Sequence, residues 1–437
     1  NSFTLPVASP YMNASKQKSL VLGYLVGFIT FVAPILGFIA PKGLAPLVIS
    51  GAVFGFIILK FQKRPVLWLN RTVVVILICL CFWTALSVLW SINDRSAIIG
   101  TIKMTGNLIA GGVLLSVLQS LNAKEVKIAL RWMLAGFIFI LVVVTVEIIF
   151  GNPIFSSVKN LPLKKYAEGQ FFWLNTLVAV LALLVWPTGL AIVNSCRVSL
   201  SSKRAFLLII GGILAVFLLA ISIKYFSGLI ALSLGIVGAS TIWLFGRPAA
   251  IVVSILLVVV GLSFPFMLTK YEISTSSLRK DISLPFSALH RIQIWEFTAN
   301  KIEQKTFSGW GMNASRDMPD GKTEMRNDKG QKHGEAIPLH PHNAMLQIWL
   351  EQGLPGIILY LGLSVFIIMS SVRRQRSKIE TSFMLGQFVT MLTIANLSFG
   401  IWQAWWMAAL WLAAALMVMI SNYNGADLYA ASMEDVN

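Results

Sequence analysis

Twelve apolar stretches, each about 20 residues long and separated by polar turns, limit what this chain can fold into. They occupy residues 19–39, 43–61, 72–90, 97–121, 126–150, 170–193, 204–222, 225–245, 248–268, 355–371, 379–400 and 402–421. The hydrocarbon core of a bilayer is about 30 Å thick, and a helix crosses it in about 20 residues. Of the 437 residues only 12% are charged, against about 25% in an ordinary soluble domain. With 57% apolar residues and a mean hydropathy of +0.77, a cytosolic enzyme and a disordered chain are both excluded. The expected fold is an all-α polytopic membrane protein of about 12 transmembrane helices, with one large external loop containing short helices. Lys103, Arg131 and Glu147 lie inside or near the fourth and fifth stretches, and charge within a bilayer is costly and often functional. The last two stretches nearly touch, which demands a tight turn near Gly400.

The net charge is +17, from 35 Lys and Arg against 18 Asp and Glu. In a soluble protein such an excess would suggest nucleic acid. Here the loops account for it. With the N-terminus inside, the inner loops collect 17 basic residues, while the outer side apart from its one long loop holds 7. Positive charge gathers on the cytoplasmic side, so both termini are expected there and no nucleic-acid partner is needed. The layout is then a cytoplasmic tail (1–18), nine spans (19–268), an outer loop with interfacial helices (269–354), three spans (355–421) and a second cytoplasmic tail (422–437). Cys79, Cys81 and Cys196 lie in or beside apolar runs and form neither a metal-spaced set nor a disulfide framework.

The long loop breaks the lipid-like composition. Between 269 and 341, 20 of 73 residues are charged, and all four histidines (His290, His333, His340 and His342) fall in this loop or at its exit. Chemistry, if the protein performs any, belongs here. Leu289, Ile292 and Trp295 recur at helical spacing, so an amphipathic helix is expected over about 287–304. Arg291 and Trp295, at i and i+4, share one of its faces. Residues 307–313 read as a glycine-punctuated turn, and 315–336 as a polar, mobile stretch.

At the exit the chain reads His340-Pro341-His342-Asn343. Asn343 is a natural N-cap for a helix from Ala344 to Gln352, Gly353 fits its C-cap, and Pro355 fits the first turn of the next helix. His342 would therefore sit at the positive end of a helix dipole, which disfavours imidazolium. A neutral imidazole with one free nitrogen is what a general base requires at neutral pH. The same helix end would attract an anion such as a phosphate. Two histidines around a proline are also common as capping or surface residues, and no carboxylate or cysteine completes a metal set with them. Arg291 alone would ordinarily be a solvated helix residue. Trp295, Trp310 and Trp349 read as packing or interfacial residues.

His342-Asn343, nine residues, Gly353, two residues and Gly356 resemble the exit-loop motif of the O-antigen ligase family. The setting is similar as well: about twelve spans, termini inside, and one large late loop that ends in the motif. The resemblance implies an inverting, metal-independent glycosyltransferase of the bacterial inner membrane. It would transfer a polysaccharide from undecaprenyl diphosphate to lipid A-core on the periplasmic side, with no cofactor. By the same resemblance His342 deprotonates the acceptor hydroxyl, and Arg291 binds the diphosphate as it leaves. The family commonly has a second arginine near the start of the eighth span. Here Lys224 stands there, a point charge without the guanidinium fork. His340 would assist orientation.

Two relatives of that architecture use the same donor, O-antigen polymerases and protein O-oligosaccharyltransferases, and they differ from a ligase in acceptor. A secondary transporter is the rival from another class, with Lys103 and Glu147 as a coupling-ion path. It predicts that those two residues matter most, whereas a transferase predicts His342 and Arg291.

Overall fold

Without water to bond to, each backbone N–H and C=O of an apolar run must find its partner inside the run, and the result is a helix. The computed structural model describes residues 20–160, 171, 173–199, 202–270, 286–326, 332–372 and 376–423. The tail 1–18, most of the tail 422–437, the outer loop around Lys164 and Lys165, and Arg373 and Arg374 lie outside the described residues. So do the start of the long loop and the side chains of Cys196 and His333.

The helices are α1 (Val21–Ile39), α2 (Leu44–Phe61), α3 (Arg71–Ser87), α4 (Asp94–Gln119), α5 (Ala123–Phe150), α6 (Pro153–Val158) and α7 (Leu174–Ser199). They continue with α8 (Ser202–Ser222), α9 (Phe226–Phe245), α10 (Arg247–Lys270), α11 (Phe286–Gln304), α12 (Ala344–Ser371), α13 (Lys378–Leu397) and α14 (Ala404–Ser421). A helix stands at each of the twelve expected spans. Eleven of the described helices are long and apolar enough to cross a membrane, one fewer than the sequence suggested. The exception is α13, whose polar side chains face protein. Thr390 is fully buried and bonds to the Ala231 carbonyl of α9 at 3.3 Å, and Asn396 accepts the Met345 N–H at 3.1 Å. Elsewhere large apolar side chains such as Phe82, Leu207 and Leu256 are more than half exposed, as a lipid-facing surface requires.

The chain divides into two compact units: Asn1–Trp68 with Ala110–Tyr225 and Ala408–Asn437, and Leu69–Ile109 with Phe226–Met407. In the first, Asn122 and Glu125 form a reciprocal capping box at the start of α5, and Glu125 pairs with Arg64 at 2.8 Å. Glu147, the acid that stood out within a span, is fully buried near the end of the same helix. Its Oε1 accepts the Ile154 N–H at 2.6 Å, and its Oε2 accepts the Phe155 N–H at 3.2 Å. The carboxylate thus caps α6, which begins where α5 ends in left-handed Gly151 and Asn152.

The second unit holds the long loop. Its expected helix is present as α11. The stretch expected to be mobile is instead folded around a 3-10 turn (Ala314–Arg316) and an antiparallel hairpin, β1 (Glu324–Arg326) with β2 (Lys332–Glu335). The register pairs Glu324 with Glu335 and Met325 with Gly334, with a bulge before Arg326. Few aliphatics are needed to hold it: Met318, Ala336 and Ile337 are buried, and Ile337 N–H bonds to the Gly321 carbonyl at 2.7 Å. Residues 327–331 lie outside the described residues.

Candidate active site

The exit of the long loop is built by a crossing of two backbones. The expected break in α12 falls at Gly353, whose φ of 61° and ψ of −157° leave the helix. A Cβ there would lie 2.1 Å from the Phe307 carbonyl oxygen, so the position admits glycine only. The break frees carbonyls, and the Gly309–Gly311 turn takes them: Trp310 N–H bonds to Leu350 O at 2.8 Å, and Gly311 N–H to Glu351 O at 2.9 Å. Trp83 of α3 donates its indole N–H to Gln352 O at 2.8 Å. Gly356 is confined as well, since a Cβ there would meet the Gln352 Cβ at 2.2 Å.

At the other end of this first segment of α12, Asn343 caps the helix as the sequence indicated, its Oδ1 accepting the Leu346 N–H at 3.0 Å. The Met345 N–H is taken by Asn396. Two of the amides that an anion would need are therefore already engaged, which weakens the expectation of a phosphate on this helix end. Trp295, on the Arg291 face of α11, donates to the Pro341 carbonyl at 3.0 Å and pins the exit loop to that helix. Trp310 and Trp349 likewise donate to backbone carbonyls, of Lys301 and Gly261, at 2.8 Å each.

His342 sits in this frame with a left-handed φ of 55°. Its Nδ1 lies 2.6 Å from the carbonyl oxygen of Ser398. A carbonyl only accepts, so Nδ1 carries the proton and Nε2 keeps its lone pair. Burial is the main cause that lowers the pKa of His342. The Ser398 carbonyl opposes that shift, and the charges of Arg291 and His290 add to it. Arg291 is half-buried on α11, and its guanidinium acts electrostatically on the imidazole, so the structure brings these two residues into one field.

His340 is buried beside it, with ring centroids 4.3 Å apart. Its Nδ1 faces the His342 N–H at 3.2 Å, its Nε2 lies 3.1 Å from the Gln403 amide nitrogen, and Gly400 leaves room for its ring. Burial, then the neighbouring His342, then Arg316 push its pKa down to about 3. Lys224 is exposed in a left-handed turn after α8 and belongs to the first unit, whereas Arg291, His340 and His342 belong to the second.

Sequence reasoning passed over the residues behind the histidines. Glu351 is fully buried and accepts four donors: Ser315 Oγ, Gln347 Nε2 at 3.1 Å, Asn313 N–H at 2.9 Å and Trp402 Nε1 at 2.8 Å. The signal was available. Gln347 and Glu351 stand at i and i+4 in a largely apolar run, where polar side chains are costly without partners.

The fold and this centre define a polytopic membrane protein with a histidine base candidate and an arginine at the exit of its one large loop. Residues 189–361 match the model of the O-antigen ligase family, and the segment contains Arg291, His342 and both motif glycines. The resemblance seen in the motif thus extends well beyond it. The chain is 33% identical over 169 residues to a candidate polysaccharide ligase of Rickettsia conorii, a match covering 38% of this chain and 40% of that one. A similarly named protein of Rickettsia bellii is 35% identical over 135 residues, 31% of this chain and 33% of the relative. The match spans about two fifths of the length of the first of these relatives, at 40%.

Proposed function

We propose that this protein is an inverting, metal-independent glycosyltransferase that attaches O-antigen polysaccharide to lipid A-core. The donor is undecaprenyl-diphosphate-linked glycan, and the reaction takes place at the periplasmic face of the bacterial inner membrane, among membrane lipids. The observation that carries the reading is the Nδ1–H bond from His342 to the Ser398 carbonyl, which leaves Nε2 as a base in the field of Arg291.

In that reaction the acceptor hydroxyl gives its proton to His342 Nε2 as its oxygen attacks the anomeric carbon. The bond from that carbon to the phosphate oxygen breaks, and its electron pair leaves with the diphosphate. Arg291 stabilises the charge that develops there, by hydrogen bonds aimed in advance. One displacement inverts the anomeric centre. His340 orients the His342 backbone by accepting its N–H at Nδ1. An apolar groove of about 550 Å³, lined by Phe82, Trp83, Phe307, Leu354 and Pro355, suits an isoprenoid chain.

The test is transfer by purified protein with lipid-linked donor, lipid A-core and a chelator, read as a gel shift of the acceptor. Wild type and Glu147→Ala should transfer, while His342→Ala and Arg291→Ala should not, although folded. A wild type that lengthens a second lipid-linked glycan instead would make it a polymerase. Transfer to neither acceptor would overturn the reading.

A further inference from the structure

The turn between α13 and α14, residues 398–403, touches both histidines. It supplies the Ser398 carbonyl to His342 Nδ1, places the Gln403 side chain 3.1 Å from His340 Nε2, and at Gly400 gives the surface on which the His340 ring rests. From the far side this turn is held by a network centred on Glu351. Glu351 Oε2 accepts the Trp402 indole N–H, and Glu351 Oε1 accepts Gln347 Nε2, whose own Oε1 accepts the Ile401 N–H at 3.0 Å. The same carboxylate holds Asn313 and Ser315 of the loop, next to Arg316.

We propose that Glu351 is the positioning residue of the histidine site: through Trp402, Gln347 and Ile401 it fixes the turn whose Ser398 carbonyl sets the tautomer and aim of His342. The proposal rests on His342 being the base for its effect on catalysis, but the tautomer is a property of the resting protein. The carboxylate is suited to this task because it offers acceptors only. All four of its partners are donors, so a single orientation satisfies them. An amide in its place cannot turn its NH2 toward Asn313 and Trp402, which only donate there. It must turn it toward Gln347, setting donor against donor and releasing the bond that leads to Ile401.

That conflict supplies its own cure. In the double variant Gln347→Glu/Glu351→Gln the charges are exchanged along the helix. The new carboxylate at position 347 accepts both the Ile401 N–H and the NH2 of the new amide at position 351. Ser315 then accepts through its hydroxyl, and the amide oxygen at position 351 keeps Asn313 and Trp402. The experiment is magic-angle-spinning NMR of the full chain in lipid, with ring-15N histidine and the His342 signals assigned by their loss in His342→Gln. Wild type should show Nδ1–H at His342. Glu351→Gln should show a mixture of tautomers, and the double variant should return to Nδ1–H.

In the transfer assay Glu351→Gln should lower kcat on the order of tenfold to 100-fold with KM unchanged, and the double variant should recover it. If Glu351→Gln fails to fold, Trp402→Phe removes one strand of the network and should move the tautomer the same way. An unchanged tautomer in folded Glu351→Gln or Trp402→Phe, or a double variant no better than the single, overturns the proposal. Transfer surviving in His342→Ala would instead overturn the base reading, with the tautomer result still deciding this one.

Discussion

Glu147 and Glu351 are both fully buried acids at helix breaks, yet they serve different ends. Glu147 accepts the Ile154 and Phe155 N–H groups, seven and eight residues onward, so it closes a local corner between α5 and α6. Glu351 accepts from Asn313, Ser315, Gln347 and Trp402, drawn from three separate stretches of chain, two of which reach the histidines. Burial alone does not distinguish a structural acid from one that serves a site. The sequence distance and identity of the donors do.

The largest effect that sharpens this contrast comes from the crossing behind Glu351. Gly353→Ala places a methyl 2.1 Å from the Phe307 carbonyl and should abolish folded protein, whereas Gly362→Ala in the same helix meets nothing within 4 Å and should be silent. Size-exclusion recovery and thermal midpoint read both. Next in size, Arg291→Lys keeps the charge and loses the fork, and it should slow transfer about tenfold or more, since a charge-assisted hydrogen bond contributes about 1.5–3 kcal/mol.

Glu147→Gln retains one acceptor for the α6 corner and should cost about 1 kcal/mol of stability, as a lost cap does, with transfer per folded molecule unchanged. A transfer defect in Glu147→Gln as large as that in Glu351→Gln would break the comparison and favour the carrier reading. The remaining effect is a pH slope. His340 has a pKa of about 3 in the folded chain and an ordinary value of 6.5 when unfolded. Between those values the unfolded chain binds the proton and the folded chain does not. Its contribution to stability is therefore complete above pH 6.5 and is lost as pH falls toward 3. Thermal midpoints of wild type should decline over that window, and those of His340→Gln less steeply.

The helices were legible because a run of apolar residues long enough to cross a bilayer has few alternatives, and the Asn343 cap and Gly353 break were legible because each needs a particular residue type. The hairpin at 324–335 was not, since its three-residue and four-residue strands rest on backbone bonds and three buried side chains rather than on an alternating pattern. Nor was α13 readily weighed: Gln387, Thr390 and Asn396 lower its hydropathy, and only their partners reveal that they face protein. Within the site, His342, Arg291 and the motif glycines could be named from sequence. Glu351 and the 398–403 turn required three dimensions, because the contacts join residues some 50 positions apart.

Ser398 is the C-cap of α13, so the carbonyl that holds His342 belongs to a helix end. His342 itself directly precedes the capping Asn343 of α12. The imidazole is thus set between the positive pole of one helix and the negative pole of another. At rest, burial and the cations keep it uncharged. On the proposed reading, a substrate proton taken up by the outer nitrogen spreads its positive charge over the ring, which meets the negative pole at the inner one. On that same reading the proton is stabilised without any side chain having to move, and the ring's modest basicity lets it go again once a product departs.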